Sequence, residues 1–327
     1  MGVLTALLRR AAWAAVLLLA VVVLNFLLLH AAPGDPADVI AGEMGGASEE
    51  MLAEIRASYG LDRPLHVQLG SYVARVAQGD LGRSFYFDRD VTGLILGRLP
   101  ATIALVVASL TLAVLVGTLL GVRAARKPNG LVSHAVTVAS LVGYALPVFW
   151  TGIVLIIVFA SMIPLFPVSG MRDVVAGHTG WRWALDVAHH MVLPTVSLST
   201  IYLAFYSRLA RASMLDVLGA DYIRTARAKG LAERSVIYKH ALRNAVLPVV
   251  TYAGLQFGAL LSGAVLVETV FSWPGLGTLA FDSILRRDSP TLLGILFFSA
   301  LMVIVVNLLT DLAYRLVDPR IRSGAAA

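Results

Sequence analysis

The chain has 327 residues, of which 58% are hydrophobic and 14% charged, with a net charge of +6 and no cysteine. That balance excludes an ordinary soluble domain, and the missing cysteines exclude disulfides, thiolate metal sites and thiol catalysis. The apolar residues come in blocks: 11–29, 99–122, 134–161, 191–207, 244–267 and 289–310 contain no Asp, Glu, Lys or Arg. Each is near or above the roughly 17–25 residues that cross a bilayer as a helix, and a helix satisfies its own backbone in lipid. An all-α integral membrane protein with six transmembrane helices is expected, the ends of the fourth being the least marked.

Arg9 and Arg10 precede the first apolar run, which is longer than the roughly 7–15 residues of a signal-peptide core. The small pair Ala31-Ala32 is followed at once by Pro33, a poor residue beside a cleavage site, so a retained signal-anchor helix is expected. In the 31–98 loop, Ser48 caps a helix with Glu49, Glu50 and Glu54 near its positive end. Leu52, Ile55 and Tyr59 form its stripe and Gly60 ends it. Pro64 opens a second helix in which Leu65, Leu69, Tyr72, Val73 and Val76 share a face, with a stop near Gly79. These stripes need a surface, so the loop should form a small helical cap. Segments 162–188 and 268–288 carry Pro, Gly and Trp and read as compact turns with interfacial anchors.

Orientation follows from the basic residues, which concentrate on the cytoplasmic side of membrane proteins. Eight Lys and Arg lie between Arg208 and Arg243, against Asp216, Asp221 and Glu233, whereas the 31–98 loop has ten acids against six Arg. Both termini and the 208–243 island should therefore face the cytoplasm. The positive charge is topological and does not signal nucleic-acid binding.

The island carries its own helix signals. Asp221 suits an N-cap, Arg224, Arg227 and Lys229 crowd the C-terminal end, and Gly230 supplies a stop. A helix of about two turns is too short to be stable alone in water. Tyr222, Ile223 and Ala226 share one face, and a second helix starts near Ala232. One account is attraction of the basic face to anionic lipid, about 1 kcal/mol per Lys or Arg at the surface. The other is insertion into a groove on a soluble partner, which the short length and the Gly corner favour. Further on, Gly254, Gly258, Ser262 and Gly263 form a small-residue face suited to close helix approach. It could be spent on packing within the chain, a partner-subunit seam or a pathway wall.

Catalytic constellations are missing from the sequence. Lys127, Lys229 and Lys239 are followed by Pro, Gly and His, so none completes a P-loop, and HExxH and GxSxG do not occur. His189 and His190 would point about 100° apart on a helix, offering one ligand rather than two, and no metal site is expected.

DYIRTARAKGL followed by HALRNAVLPVVT resembles the cytoplasmic coupling loop of ATP-binding-cassette (ABC) importer permeases, and more narrowly the oligopeptide/dipeptide/nickel family. The general Glu-Ala-Ala is replaced here by Arg224-Thr225-Ala226, and Leu247-Pro248 lies further from Gly230, both as in the peptide/nickel branch. Pro33-Gly34-Asp35-Pro36, Gly60-Leu61-Asp62-Arg63-Pro64, Gly79-Asp80-Leu81-Gly82 with Ser84, Arg98-Leu99-Pro100-Ala101-Thr102, the stretch from Glu268 to Gly277 and Asp318-Pro319-Arg320-Ile321-Arg322 are similar to family signatures in family order. The structured loop after the first span resembles that of the B-type subunit.

The resemblance implies a type I ABC importer permease fold, divided into residues 1–30, an outer loop 31–98, a permease core 99–317 and a tail 318–327. It implies a related C-type permease, two nucleotide-binding ATPase subunits and an extracytoplasmic binding protein as partners, in the lipid bilayer of a bacterial inner membrane. ATP and Mg would be bound by the ATPase subunits and no cofactor by this chain. Asp221, Tyr222, Ile223, Arg224, Thr225, Ala226, Arg227, Lys229 and Gly230 would dock the ATPase. Glu268, Trp273, Pro274 and Gly275 would form an outer gate or a binding-protein contact. Peptide is the leading cargo, with nickel chelates, glutathione and oligosaccharides as alternatives. A membrane-embedded enzyme or a stand-alone channel is the competing class.

Overall fold

The computed structural model describes residues 3–31, 48–59, 62–84 and 86–317. The signature segments 33–36, 60–61 and 318–322 lie outside these residues. The described chain is helical apart from one short hairpin and its connecting turns. In order it forms α1 (Val3–Ala31), α2 (Glu49–Tyr59), α3 (Leu65–Ala77), β1 (Arg83–Ser84), β2 (Arg89–Asp90), α4 (Val91–Arg126), α5 (Leu131–Ala145) and α6 (Val148–Ile156), which runs on as a π-helical turn, Ile157–Met162. Then come α7 (Gly180–Leu218) and α8 (Asp221–Ala228), followed by a turn, Glu233–Ser235, and a π-helical segment, Val236–Ala241. The chain continues as α9 (Leu242–Leu255), α10 (Phe257–Val270), α11 (Leu276–Arg286) and α12 (Ser289–Val317).

Among the described residues, four helices are long and apolar enough to cross a membrane: Arg9–Ala31 within α1, Val91–Arg126, Gly180–Leu218 and Ser289–Thr310 within α12. Two bent pairs bring the number to six when each counts as one span. They are Leu131–Ala145 with Val148–Met162, bent by 103°, and Glu233–Leu255 with Phe257–Val270, bent by 58°. The first break has a local cause. Leu146 is held extended (φ −81°, ψ 131°) ahead of Pro147, the backbone region that a following proline imposes. The fourth span is much longer than its apolar core. The 39 residues of α7 extend about 58 Å at 1.5 Å per residue, against about 30 Å of hydrocarbon.

The chain divides into two compact units, Met1–Leu99 with Leu279–Val305 and Pro100–Thr278 with Val306–Ala327. In the first, α2 starts on Ser48, whose Oγ accepts the Met51 N–H at 3.3 Å. α3 packs against α1: Phe26 lies 6.1 Å from Tyr72 between ring centroids, His30 Nε2 meets Gln68 Oε1 at 3.1 Å, and Val76 is buried. Burial holds the Tyr72 phenol above its ordinary pKa. The expected α3 stripe holds except at its start, where Leu65 is exposed.

The hairpin was not legible in the sequence. Arg83 pairs with Asp90 and Ser84 with Arg89, Asp88 takes φ 50° at the turn, and Arg83 forms an ion pair with Asp88. Ser84 Oγ donates to the buried Asp288 at 2.6 Å, and Asp288 also caps the start of α12 through the Thr291 N–H. Asn25 fastens α1 to α12 through the Leu293 carbonyl at 3.0 Å.

The second unit is organised around α7. On α4, Gly117 and Gly121 meet the α7 backbone at Leu203 and Ser207 so closely that an added Cβ would overlap it. On α5, Ser140 and Ser207 share a buried hydrogen bond of 2.7 Å, and Gly143 faces Thr200. Small and hydroxylated residues at these crossings let helices approach closely in lipid.

Candidate docking site and outer turn

α7 ends at Leu218 with Gly219 as its C-cap, and α8 begins at Asp221, directly after the extended Ala220. Ala220 therefore occupies the N-cap and Asp221 the first helical position. Asp221 acts through the helix dipole and a 3.4 Å contact with Arg224 rather than as a cap. The C-terminus closes as the sequence suggests. Gly230 takes φ 74°, its N–H donates to the Arg227 carbonyl at 2.9 Å, and the Leu231 N–H donates to Ala226 at 3.4 Å. This is the Schellman arrangement, in which the left-handed C′ residue favours glycine.

The expectation of a free-standing helix with an apolar face awaiting a partner is corrected. Ile223 and Ala226 are buried in a core built by Val122 and Ala125 of α4, Met214 of α7, and Val236, Ile237 and Ala241 of the returning segment. Tyr222 is partly exposed and accepts a hydrogen bond from Asn244 at 2.8 Å. Asp221, Arg224, Thr225 and Lys229 are left facing outward. Arg227 and Glu233 close the Gly230 corner through hydrogen bonds of 2.9 and 3.2 Å. That bonding holds the Glu233 carboxyl below its ordinary pKa and raises that of Arg227.

The small-residue face of the fifth span is partly spent within the chain. Gly254 faces Thr310 of α12 with no room for a Cβ, and Gly263 faces Leu198 of α7. Gly258 is half-buried. Ser262 is exposed, in a helical stripe with Leu255, Ala259 and Leu266. Gly263 also lines a cavity of about 280 Å³ beside the α5–α6 break, with Tyr144, Pro147, Leu198, Ile201 and Tyr202.

The turn after α10 is a buried polar knot. Glu268, Trp273 and Gly275 are buried, Pro274 is half-buried and Ser272 is exposed. Neither Glu268 nor Trp273 thus presents a surface to a binding protein, which corrects the contact reading of those two residues. Trp273 Nε1 donates to the Ala101 carbonyl at 2.9 Å. Thr102 Oγ1 donates to Glu268 Oε1 at 2.6 Å and accepts the Leu276 N–H at 2.7 Å. Glu268 Oε2 accepts the Gly277 N–H at 2.6 Å and the Thr278 N–H at 3.4 Å. A Cβ on Gly275 would overlap the Glu268 carboxylate, and Ser272 adopts φ 49° to make the turn. Both partner segments stood out in the sequence, but nothing in it paired Thr102 with a carboxylate 166 positions away.

His189 and His190 diverge. His189 Nε2 meets the Leu165 carbonyl at 2.8 Å, and His190 Nδ1 meets the carbonyl and carboxylate of Asp186 at 2.9 and 3.1 Å. Among the described residues no group of three His, Cys, Asp or Glu is placed to hold a metal ion.

Among the described residues, four long apolar helices and two bent pairs define a helical membrane protein of several spans. The family described as "Binding-protein-dependent transport system inner membrane component" matches residues 117–323, and its N-terminal counterpart, "Binding-prot-dependent transport system membrane comp, N-term", matches residues 3–106. The chain belongs to this family.

It is 43% identical over 316 residues to the Di/tripeptide transport system permease protein DppB of Pseudomonas aeruginosa (strain UCBPP-PA14), covering 92% of this chain and 94% of that protein. The Dipeptide transport system permease protein DppB of Escherichia coli (strain K12) is 44% identical over 319 residues with the same coverage. The Oligopeptide transport system permease protein AppB of Bacillus subtilis (strain 168) is 39% identical over 315 residues, covering 96% of this chain and 98% of that one. The solved inward-facing MetNI methionine ABC transporter contains a chain of the same fold, with TM-score 0.54 and 17% identity, covering 69% of this chain and 96% of that chain. This chain is a B-type permease subunit of an ABC importer, an integral membrane protein and not an enzyme.

Proposed function

We propose that this chain forms half of the translocation pathway of an ATP-driven importer for di- and oligopeptides. The observation that carries the cargo class is near-full-length identity of 39–44% to permeases named for dipeptide, tripeptide and oligopeptide transport. In this reading a related C-type permease completes the pathway, an extracytoplasmic binding protein delivers peptide, and two nucleotide-binding subunits bind ATP and Mg. Residues 1–30, 31–98, 99–317 and 318–327 serve as anchor, outer cap, core and tail, with both termini cytoplasmic in an inner membrane.

The energy input is α8. Its apolar face is already buried against its own chain, so the ATPase meets the polar face of Asp221, Arg224, Thr225 and Lys229. Closure of the ATPase pair then moves α8 with α9, a rigid-body switch of access that requires α8 to bind differently in the two states. Ser262 lies on the seam with the partner permease, and the cavity at the α5–α6 break belongs to the pathway wall.

Copurification tests the class, because recovery of a second permease and two ATPase subunits is expected, whereas a chain that conducts alone would contradict it. Titration of the accompanying binding protein with di- and tripeptides tests the cargo. Saturable peptide binding is the expected result; a binding protein that ignores peptides and takes a nickel chelate or an oligosaccharide would overturn it.

A further inference from the structure

The docking module and the outer turn are the two ends of one helical path. α8 packs on the segment Val236–Ala241, which runs unbroken into α9, and the path continues through the bend at Gln256 into α10. The last turn of α10 carries Glu268, whose two carboxylate oxygens are committed in different directions. Oε1 takes the hydroxyl of Thr102 from α4, and Oε2 takes the N–H groups of Gly277 and Thr278 in the first turn of α11. The Leu276 N–H goes to Thr102 Oγ1. Such N–H groups have no partner within their own helix, and a carboxylate beside them sits at the positive end of the helix dipole. One buried side chain therefore joins α4, α10 and α11. The site is closed around it, since Gly275 has no room for a Cβ and Trp273 is bonded to Ala101.

We propose that Glu268, partnered by Thr102, is a positioning residue that carries the stroke received at α8 to the outer face. It locks the outer end of α10 to α4 and α11, so a displacement of the fifth span moves the 271–278 turn instead of dissipating in bending of α10. The inference rests on α8 as the energy input, and its test reads a different quantity from docking.

The complete importer is reconstituted in proteoliposomes, with peptide uptake and ATP hydrolysis measured on the same vesicles and subunit stoichiometry measured after extraction. Thr102→Ser keeps the hydroxyl and should retain the parent's uptake per ATP. Thr102→Val removes one arm, and Glu268→Gln turns one of the two oxygen positions into a donor. Losing a hydrogen bond to a buried charged group should lower uptake per ATP by about tenfold or more, while assembly and hydrolysis persist. A failure of the docking reading would appear instead as ATPase recovery unaffected by Arg224→Ala. Uptake per ATP unchanged in both Thr102→Val and Glu268→Gln overturns the proposal, as does uptake that falls only in proportion to assembled complex.

Discussion

The module around α8 and the turn after α10 solve the same problem with opposite materials. α8 is held by aliphatic packing of Ile223 and Ala226, and its charged groups are left exposed. The turn after α10 is held instead by hydrogen bonds to a buried carboxylate, with a buried indole beside it. Apolar packing is non-directional and leaves a polar face available for recognition. Buried hydrogen bonds are directional and costly to leave half-made. The first arrangement suits a surface that a partner reads, the second a joint whose geometry must not slip.

The largest effect that would break this contrast is expected at Ile223. Truncation to Ala should cost about 2–5 kcal/mol of local stability, in the range of buried Ile→Ala changes. Faster limited proteolysis around 219–241 and reduced recovery of ATPase subunits should follow. Wild-type resistance would mean that the module is not held by its apolar face. Next comes Gly275→Ala, which places a methyl group against the Glu268 carboxylate. Overpacking of this kind costs about 1–3 kcal/mol, and the thermal midpoint of the detergent-solubilised chain should drop; an unchanged midpoint would show that the knot yields.

A smaller effect is expected at the Gly230 corner. The Arg227–Glu233 pair is solvent-exposed, so Glu233→Gln should cost at most about 1 kcal/mol at neutral pH and less in high salt. Glu233 has a lowered folded-state pKa because of Arg227. Its stabilisation is complete above the ordinary carboxylate pKa and fades as pH falls through the lowered value. The difference between parent and variant should shrink along that acid limb, and a difference that grows there would contradict the assignment. Smallest in stability is Arg224→Ala, within about 0.5 kcal/mol as for an exposed substitution. It should nonetheless reduce recovery of the ATPase, because the change falls on the face left for recognition.

Much of this architecture was legible in the sequence because lipid imposes a simple grammar. Uncharged runs located the spans, Ser48 and Pro64 marked the starts of α2 and α3, and Gly230 marked the end of α8. What could not be read were relations between distant residues. The break at Leu146-Pro147 looked like one continuous apolar run, because hydropathy does not register a backbone held extended before proline. Gly254 and Gly263 announced close approach without saying to what; the structure gives Thr310 and Leu198. Trp273 and Glu268 resembled surface features of an outer turn, and only long-range pairing with Ala101 and Thr102 turned them inward. The apolar face of α8 looked free for the same reason, since its cover comes from α4, α7 and the returning segment.

In the proposed importer the polar face of α8, and not its apolar face, meets the ATPase. The chain has no cysteine, so single cysteines at Arg224, Thr225 and Ile223 can each carry a short bifunctional crosslinker in the assembled importer. Adducts with an ATPase subunit are expected from positions 224 and 225 and none from 223. Adducts from 223 alone, or none with the ATPase from either polar position, would contradict it.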